Sequence, residues 1–247
     1  MKRKDFLHLT GICSLGLFTI PHLALGAAQD RFTLAQLIGK GNPEITGNSY
    51  RQKMHKQTKA AFLEMKAAAA KDNISIEVVS AYRSFERQKE IFEGKYKRFT
   101  GQGLSPKQAL SKIIEYSTIP GTSRHHWGTD IDIIQANTGA RPSSVLQEKH
   151  FYGNGPFCDM KVWLTKNASS FGFYEVYTKD ANRKGFSHEP WHFSYKPVSK
   201  PMLMAYKKLD IKSILQQEKI MGSEHFSDGF IAKYVQEHIL DINPELL

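Results

Sequence analysis

Residues 128–134 read Gly-Thr-Asp-Ile-Asp-Ile-Ile, a strand-like run that carries two carboxylates among isoleucines. Alternate residues of a strand face opposite sides, so Ile131 and Ile133 point into a core while Asp130 and Asp132 share the other face. A carboxylate held on an apolar strand needs a partner, and a cation is a good one. His125 lies in the turn leading into this strand and folds over the same spot. Further along, Glu189-Pro190-Trp191-His192 sets an imidazole at the start of another strand, three residues after a carboxylate. Imidazole nitrogen and carboxylate oxygen are normal zinc ligands, and a catalytic zinc keeps three protein ligands and one open place. With His192 on the metal, Glu189 sits over that open place and takes a proton from water. A structural site would need a fourth protein ligand, His126 or Asp130, and either would close it. The remaining histidines, His8, His22, His55, His150, His188, His225 and His238, are read as ordinary hydrogen-bonded residues.

The N-terminus reads as an address and not as part of the fold. Lys2, Arg3 and Lys4 precede an apolar run over residues 9–20, then Pro21 and the small residues Ala24, Gly26 and Ala27. That is the order of a secretory signal spanning 1–26, cleaved after Gly26, and the run is short for a membrane anchor, the alternative reading. Arg3-Lys4-Asp5-Phe6-Leu7 is a loose twin-arginine likeness. Ile12 before Cys13 argues against lipid attachment. Cys158 is then the one cysteine left, so an exported chain has no internal disulfide and depends on its core, with a metal as a further support. The formal charge of +10, less the +2 of Lys2, Arg3, Lys4 and Asp5, leaves about +8 spread along the mature chain. Scattered basicity without a recognised module argues against nucleic acid and fits an anionic cell wall or lipid surface. No other segment is apolar enough to span a membrane, so no stable membrane insertion is expected after cleavage; a monomer is the expectation.

Periodicity places the other elements. Ser49 caps a helix to about Lys71 with Met54, Ala61, Phe62, Met65 and Ala68 on one face. Ile74, Ile76 and Val78 alternate in a strand ending near Tyr82. Ser84 opens a helix bearing Phe85, Phe92 and Phe99, and Ser105-Pro106-Lys107-Gln108 is a capping box with Pro at the first helical position. A helix over 162–171 and a strand over 191–195 follow. From Pro197 the pattern is helical, with Phe230, Ile231, Tyr234, Val235, His238 and Ile239 forming one stripe that docks on the main domain. Helices and strands without regular alternation indicate α+β.

Taken together, Ser123, His125, Gly128 and Asp132, then Glu189, Trp191 and His192, resemble the pattern S-x-H-x-x-G-x-A-x-D and E-x-W-H of D-alanyl-D-alanine carboxypeptidases of the vancomycin-resistance (VanY-like) type. These belong to the superfamily that includes lysostaphin and the hedgehog signalling domain. Tyr82-Arg83-Ser84 with Gln88 resembles the family's arginine segment, and Trp163-Leu164, Asn167-Ala168 and Phe171-Gly172-Phe173 resemble its helix before the last strands; the likeness covers about 50–195. It implies a small α+β domain with a central antiparallel sheet over 27–196; the tail over 197–247 lies outside the likeness and is read as a helical extension from its periodicity alone. It implies one zinc ion held by His125, Asp132 and His192, with Glu189 as general base and Arg83 stabilising an oxyanion. Ser123 and Gln88 are candidates for holding the substrate. The implied substrate is a peptidoglycan stem peptide ending in D-alanine, met outside the cytoplasm in the periplasm or envelope. D,D-carboxypeptidase stands first, with L,D-carboxypeptidase or stem-peptide endopeptidase as alternatives. The hedgehog domain keeps open a zinc-containing wall-binding module, although such a site would have no use for Glu189. One position departs from the pattern: Asp130 stands where a small residue is expected, read as an acceptor behind a ligand or, alternatively, as a ligand in place of Asp132.

Overall fold

A computed structural model describes residues 31–139 and 141–247; the expected signal over 1–26, with Cys13, lies outside them. Thr33 caps a short helix, α1 (Leu34–Ile38). A hairpin of β1 (Ile45–Thr46) and β2 (Met54–His55) runs straight into α2 (Lys56–Lys71). This helix is capped by His55 and begins later than the expected cap at Ser49. The cause is backbone competition: Met54 pairs with Thr46, and the His55 N–H donates to the Gly128 carbonyl at 2.8 Å, so the chain is tied into strand contacts first. Phe62 and Met65 form the buried face as expected, joined by Thr58 and Ala69.

β3 (Ile76–Ser80) is followed by α3 (Phe85–Gly101), where the Ser84 hydroxyl accepts from the Arg87 N–H at 3.2 Å. α4 (Pro106–Ile114) shows both arms of the Ser105–Gln108 capping box. Then come β4 (Asp130–Gln135), α5 (Cys158–Asn167), β5 (Phe173–Glu175) and β6 (His192–Tyr195). The chain closes with α6 (Lys196–Tyr206), α7 (Ile211–Gln217) and α8 (Asp228–Tyr234). The four longer-range strands make one antiparallel sheet in the order β3-β4-β6-β5, the α+β arrangement expected.

Strand alternation divides the sheet as anticipated. Ile131 and Ile133 pack with Phe62 and Met65 of α2 and with Met160 and Leu164 of α5. Each such side chain contributes on the order of 2 kcal/mol when fully buried, enough to hold the polar face of β4 in place. A second cluster joins Phe85, Phe92, Leu110 and Ile113 to Met202, Leu203, Tyr206, Ile231 and Tyr234, so the last three helices share a core with α3 and α4. Phe32–Leu247 form one unit. Among the described residues no helix is long and apolar enough to cross a membrane.

Register then sets the site. Ser80, Asp132 and His192 stand side by side across β3, β4 and β6, and Asp130 lies opposite Ser194. Entry to β4 requires Gly128. Its φ is +70°, and a Cβ there would fall 2.3 Å from Ile45 Cδ1 and 2.7 Å from the His55 nitrogen. Only glycine lets the hairpin close this tightly against the turn that carries His125.

Candidate active site

His125 sits in a 3-10 turn, Arg124–Trp127, immediately before β4. Its Nδ1 is 2.8 Å from the Ala81 carbonyl, which can only accept, so the proton is on Nδ1 and the lone pair of Nε2 faces Asp132 Oδ2 at 3.5 Å. His192 is held the opposite way round. Its Nε2 lies 2.9 Å from Asp130 Oδ2, and its Nδ1 faces Glu189 Oε2 at 2.9 Å and Asp132 Oδ1 at 3.8 Å. One donor atom from each of His125, Asp132 and His192 lies within 4.8 Å of the others, and all three residues are buried.

This donor set fits a metal ion. Asp132 Oδ1 is buried without a hydrogen-bond partner, a position that is unfavourable unless a cation shares it. Burial alone would disfavour charge on His192, yet Asp130, Glu189 and Asp132 together raise its pKa to about 10. The pocket is therefore built around positive charge, and a divalent ion held there would take the place of the Nδ1 proton. Two imidazoles and one carboxylate match the ligand count of a catalytic zinc site. Burial likewise works to raise Asp132, but His125, His192 and Arg83 hold its pKa below the usual carboxylate value.

Asp130 is fully buried and every oxygen is occupied. Oδ2 accepts from Arg124 Nε at 2.8 Å, and Oδ1 accepts from Thr129 Oγ1 at 2.8 Å and Ser194 Oγ at 2.6 Å. Despite burial, Arg124 and His192 hold its carboxyl far below the usual range. Its contacts are those of an acceptor behind His192, and it is not in the three-residue cluster. Arg124, which the sequence did not single out, is the countercharge; its one signal is its place between Ser123 and His125. His126 is not available as a fourth ligand either. Its Nε2 accepts from the Gly121 N–H at 3.0 Å, so Nδ1 carries the proton and donates to the Arg83 carbonyl at 2.6 Å. Burial lowers its pKa to about 3.

Arg83, Ser123, His125, Asp132, Glu189 and His192 all line one cavity of about 480 Å³. The Arg83 guanidinium donates to Gln88 Oε1 at 2.9 Å and Ser80 Oγ at 3.2 Å, which aim it. Burial lowers its pKa, and Asp132 and Glu189 oppose that shift. The Ser123 side chain does not cap its turn and faces the cavity. Gln88 is placed differently from the other expected site residues. It is wholly buried behind Arg83, and its amide nitrogen donates to the Thr118 carbonyl at 2.7 Å. His188, set aside in the sequence, lines the cavity, with its Nδ1 on the Tyr177 carbonyl at 2.8 Å and its Nε2 on Tyr152 Oη at 2.7 Å.

Comparison with known proteins adds a family to this geometry. The VanY family, described as D-alanyl-D-alanine carboxypeptidase, matches residues 51–198. A D-alanyl-D-alanine carboxypeptidase of Enterococcus faecalis is 29% identical over 153 residues, 62% of this chain and 52% of that protein, so the chain spans about half the length of this relative. The fold is shared with VanYB solved in complex with D-alanine-D-alanine: TM-score 0.51, 24% identity, covering 73% of this chain and 92% of that one. A VanY D,D-pentapeptidase mutant from a VanB-type resistance cassette, solved in complex with Zn(II), has a TM-score of 0.49 at 24% identity and covers 70% of this chain and 90% of its own.

Proposed function

The chain belongs to the VanY family of D-alanyl-D-alanine carboxypeptidases, and from that premise we propose that it is a zinc-dependent carboxypeptidase removing the terminal D-alanine of peptidoglycan stem peptides, with D,D cleavage as its main reaction. The observation that carries this reading is the unpartnered Asp132 Oδ1 among three converging donors, with Glu189 in the same cavity.

His125 Nε2, Asp132 and His192 Nδ1 would hold the zinc. When bound, the ion supplies Lewis acidity and makes water nucleophilic near neutral pH. The chain's own groups do the rest. Glu189 takes the proton of the attacking water and passes it to the leaving amine. The scissile carbonyl oxygen gains negative charge as it is attacked, and the Arg83 guanidinium is a preset positive group for it. Gln88 and Ser80 keep that guanidinium from swinging away, so Gln88 acts through Arg83. Ser123 offers a hydroxyl at the cavity wall for the terminal carboxylate or backbone of the substrate. Glu189 also favours an enzyme over a zinc-containing binding module, which would need no base beside the ion.

The same reading has the chain exported, with the signal removed after Gly26, and acting on the wall from the periplasm or envelope, with 27–196 as the catalytic domain and 197–247 as its extension. The test presents purified mature protein with zinc to a muropeptide pentapeptide and a tetrapeptide and follows products by mass spectrometry. Loss of one alanine from the pentapeptide alone is the expected result. Loss from the tetrapeptide alone would replace D,D with L,D cleavage, and no loss from either would reject the carboxypeptidase reading.

A further inference from the structure

All but the first three residues of α6, and everything after it, lie outside the stretch that the family matches, 51–198, yet this part of the chain braces segments leading to both walls of the cavity. On one side the hydroxyl of Tyr234 in α8 sits beneath the turn 119–122. It accepts from the Ile119 N–H at 3.0 Å and lies 2.8 Å from Thr122 Oγ1. The Thr122 hydroxyl donates to the Ile119 carbonyl at 2.7 Å, so its proton is committed and Tyr234 must be the donor to Thr122. Three groups thus close a ring of hydrogen bonds, with Tyr234, Thr122 and Ile119 all buried. Tyr206 of α6 adds a bond to the Gly121 carbonyl at 2.8 Å. The turn presents its flanking residues Thr118 and Ser123 to the cavity wall.

On the other side, Asp241 Oδ2 accepts from the backbone N–H groups of Lys184 at 2.6 Å and Gly185 at 3.0 Å. A Cβ on Gly185 would fall 1.6 Å from the Glu237 carbonyl oxygen, so backbone is packed directly on backbone. This segment leads to Ser187, His188 and Glu189 in the cavity wall.

We infer that the C-terminal helices are a working part of the active site, and that Tyr234 is a positioning residue that sets the substrate-binding wall through the turn 119–122. The two imidazoles that would ligate zinc are held through their other ring nitrogens, His125 Nδ1 by the Ala81 carbonyl and His192 Nε2 by Asp130, so the effect falls on the peptide and not on the metal. The substrate named here rests on the carboxypeptidase reading above; the hydrogen-bond ring does not.

The test uses the full mature chain with zinc and two conservative variants, Tyr234→Phe and Thr122→Val, singly and combined. Each removes one hydroxyl from the ring and leaves a buried donor or acceptor unmatched. Expected are an unchanged zinc content, a KM for the stem pentapeptide raised roughly five- to tenfold in each single variant, and a kcat within about threefold. The double variant should add little to either single one, because both break the same ring. Amide hydrogen exchange should quicken over 118–125 and stay unchanged over 132–135. Additive KM effects, or a lower melting temperature with parental KM and parental exchange over 118–125, would overturn the inference. A parent protein that cleaves no stem peptide would remove the carboxypeptidase reading alone, and the exchange measurement would still decide the role of Tyr234.

Discussion

Asp130 Oδ2 lies 2.9 Å from Nε2 of His192, and this contact decides which nitrogen of the ring faces the cavity. With Nε2–H turned back toward the carboxylate, Nδ1 is presented to Asp132 and Glu189. Asp130 is itself fixed by Arg124, Thr129 and Ser194, so the ring orientation is held by a buried, charge-balanced cluster and not by packing alone. A carboxylate behind a ligating imidazole sets its tautomer and raises its basicity toward the metal.

Replacing that carboxylate should therefore weaken metal binding without removing a ligand. Asp130→Ala, which restores the small residue of the family pattern, should lower zinc affinity about 10- to 100-fold. Asp130→Asn, which keeps an acceptor but not the charge, should fall between the two. Competition with a chelator measures this directly. A zinc Kd within about threefold of the parent in Asp130→Ala would mean that Asp130 serves only to neutralise Arg124.

Glu189 is expected to separate binding from chemistry. It contacts His192 and lines the cavity but is not one of the three converging donors. Glu189→Gln should keep stoichiometric zinc and lose about 10²- to 10⁴-fold in kcat, the range for a general acid–base group. Metal analysis beside turnover is the check, and parental turnover would remove the residue from the mechanism. His125→Ala, by contrast, should lose zinc and turnover together.

Arg83 and Gln88 form a second separable pair. Arg83→Lys keeps a positive charge but loses the forked geometry, and kcat should fall about 10²-fold, as for a lost oxyanion donor. Gln88→Leu leaves the guanidinium charged but releases its Nη1 partner. The expected loss in kcat is roughly tenfold, with KM and zinc content near the parent. Parental kcat in Gln88→Leu would show that Gln88 does not hold the Arg83 guanidinium in its working position.

The candidate metal cluster is the most legible part of the chain. His125, Asp132, Glu189 and His192 occupy two short segments whose residue types and strand alternation carry their own chemistry, and the register of β4 with β6 brings those segments together. What stayed hidden depends on contacts between segments far apart along the chain. Nothing near Asp130 in the sequence shows that Ser194 will bond it, and nothing near Gln88 shows that its amide is consumed by Thr118 and Arg83. The displaced start of α2 has the same origin: Ser49 is a good cap locally, but the His55–Gly128 bond and the β1–β2 pairing outbid it. Likewise the helical stripe after 197 was visible as periodicity, whereas the hydroxyl of Tyr234 beneath Ile119 was not.

His126 makes the acid stability of the metal-free protein testable. Its pKa is about 3 in the folded chain against an ordinary 6.5, because burial disfavours the imidazolium. The unfolded chain therefore takes up a proton below pH 6.5 that the folded chain refuses until about pH 3. A depressed folded pKa means that this stabilisation is complete above 6.5 and drains away as the pH falls toward 3. His192 works with the opposite sign: raised to about 10, it contributes fully below 6.5 and is lost only as the pH rises through 10, so it stays constant in the acid window. Between pH 6.5 and 5, in the presence of a chelator, the parent should lose on the order of 1–2 kcal/mol through His126. His126→Asn keeps a donor for the Arg83 carbonyl but has no group to titrate there. It should start less stable and lose correspondingly less across the same interval. Denaturant melts of both proteins at several pH values decide the matter: parallel slopes in parent and variant would mean that His126 is not the group whose protonation opposes folding.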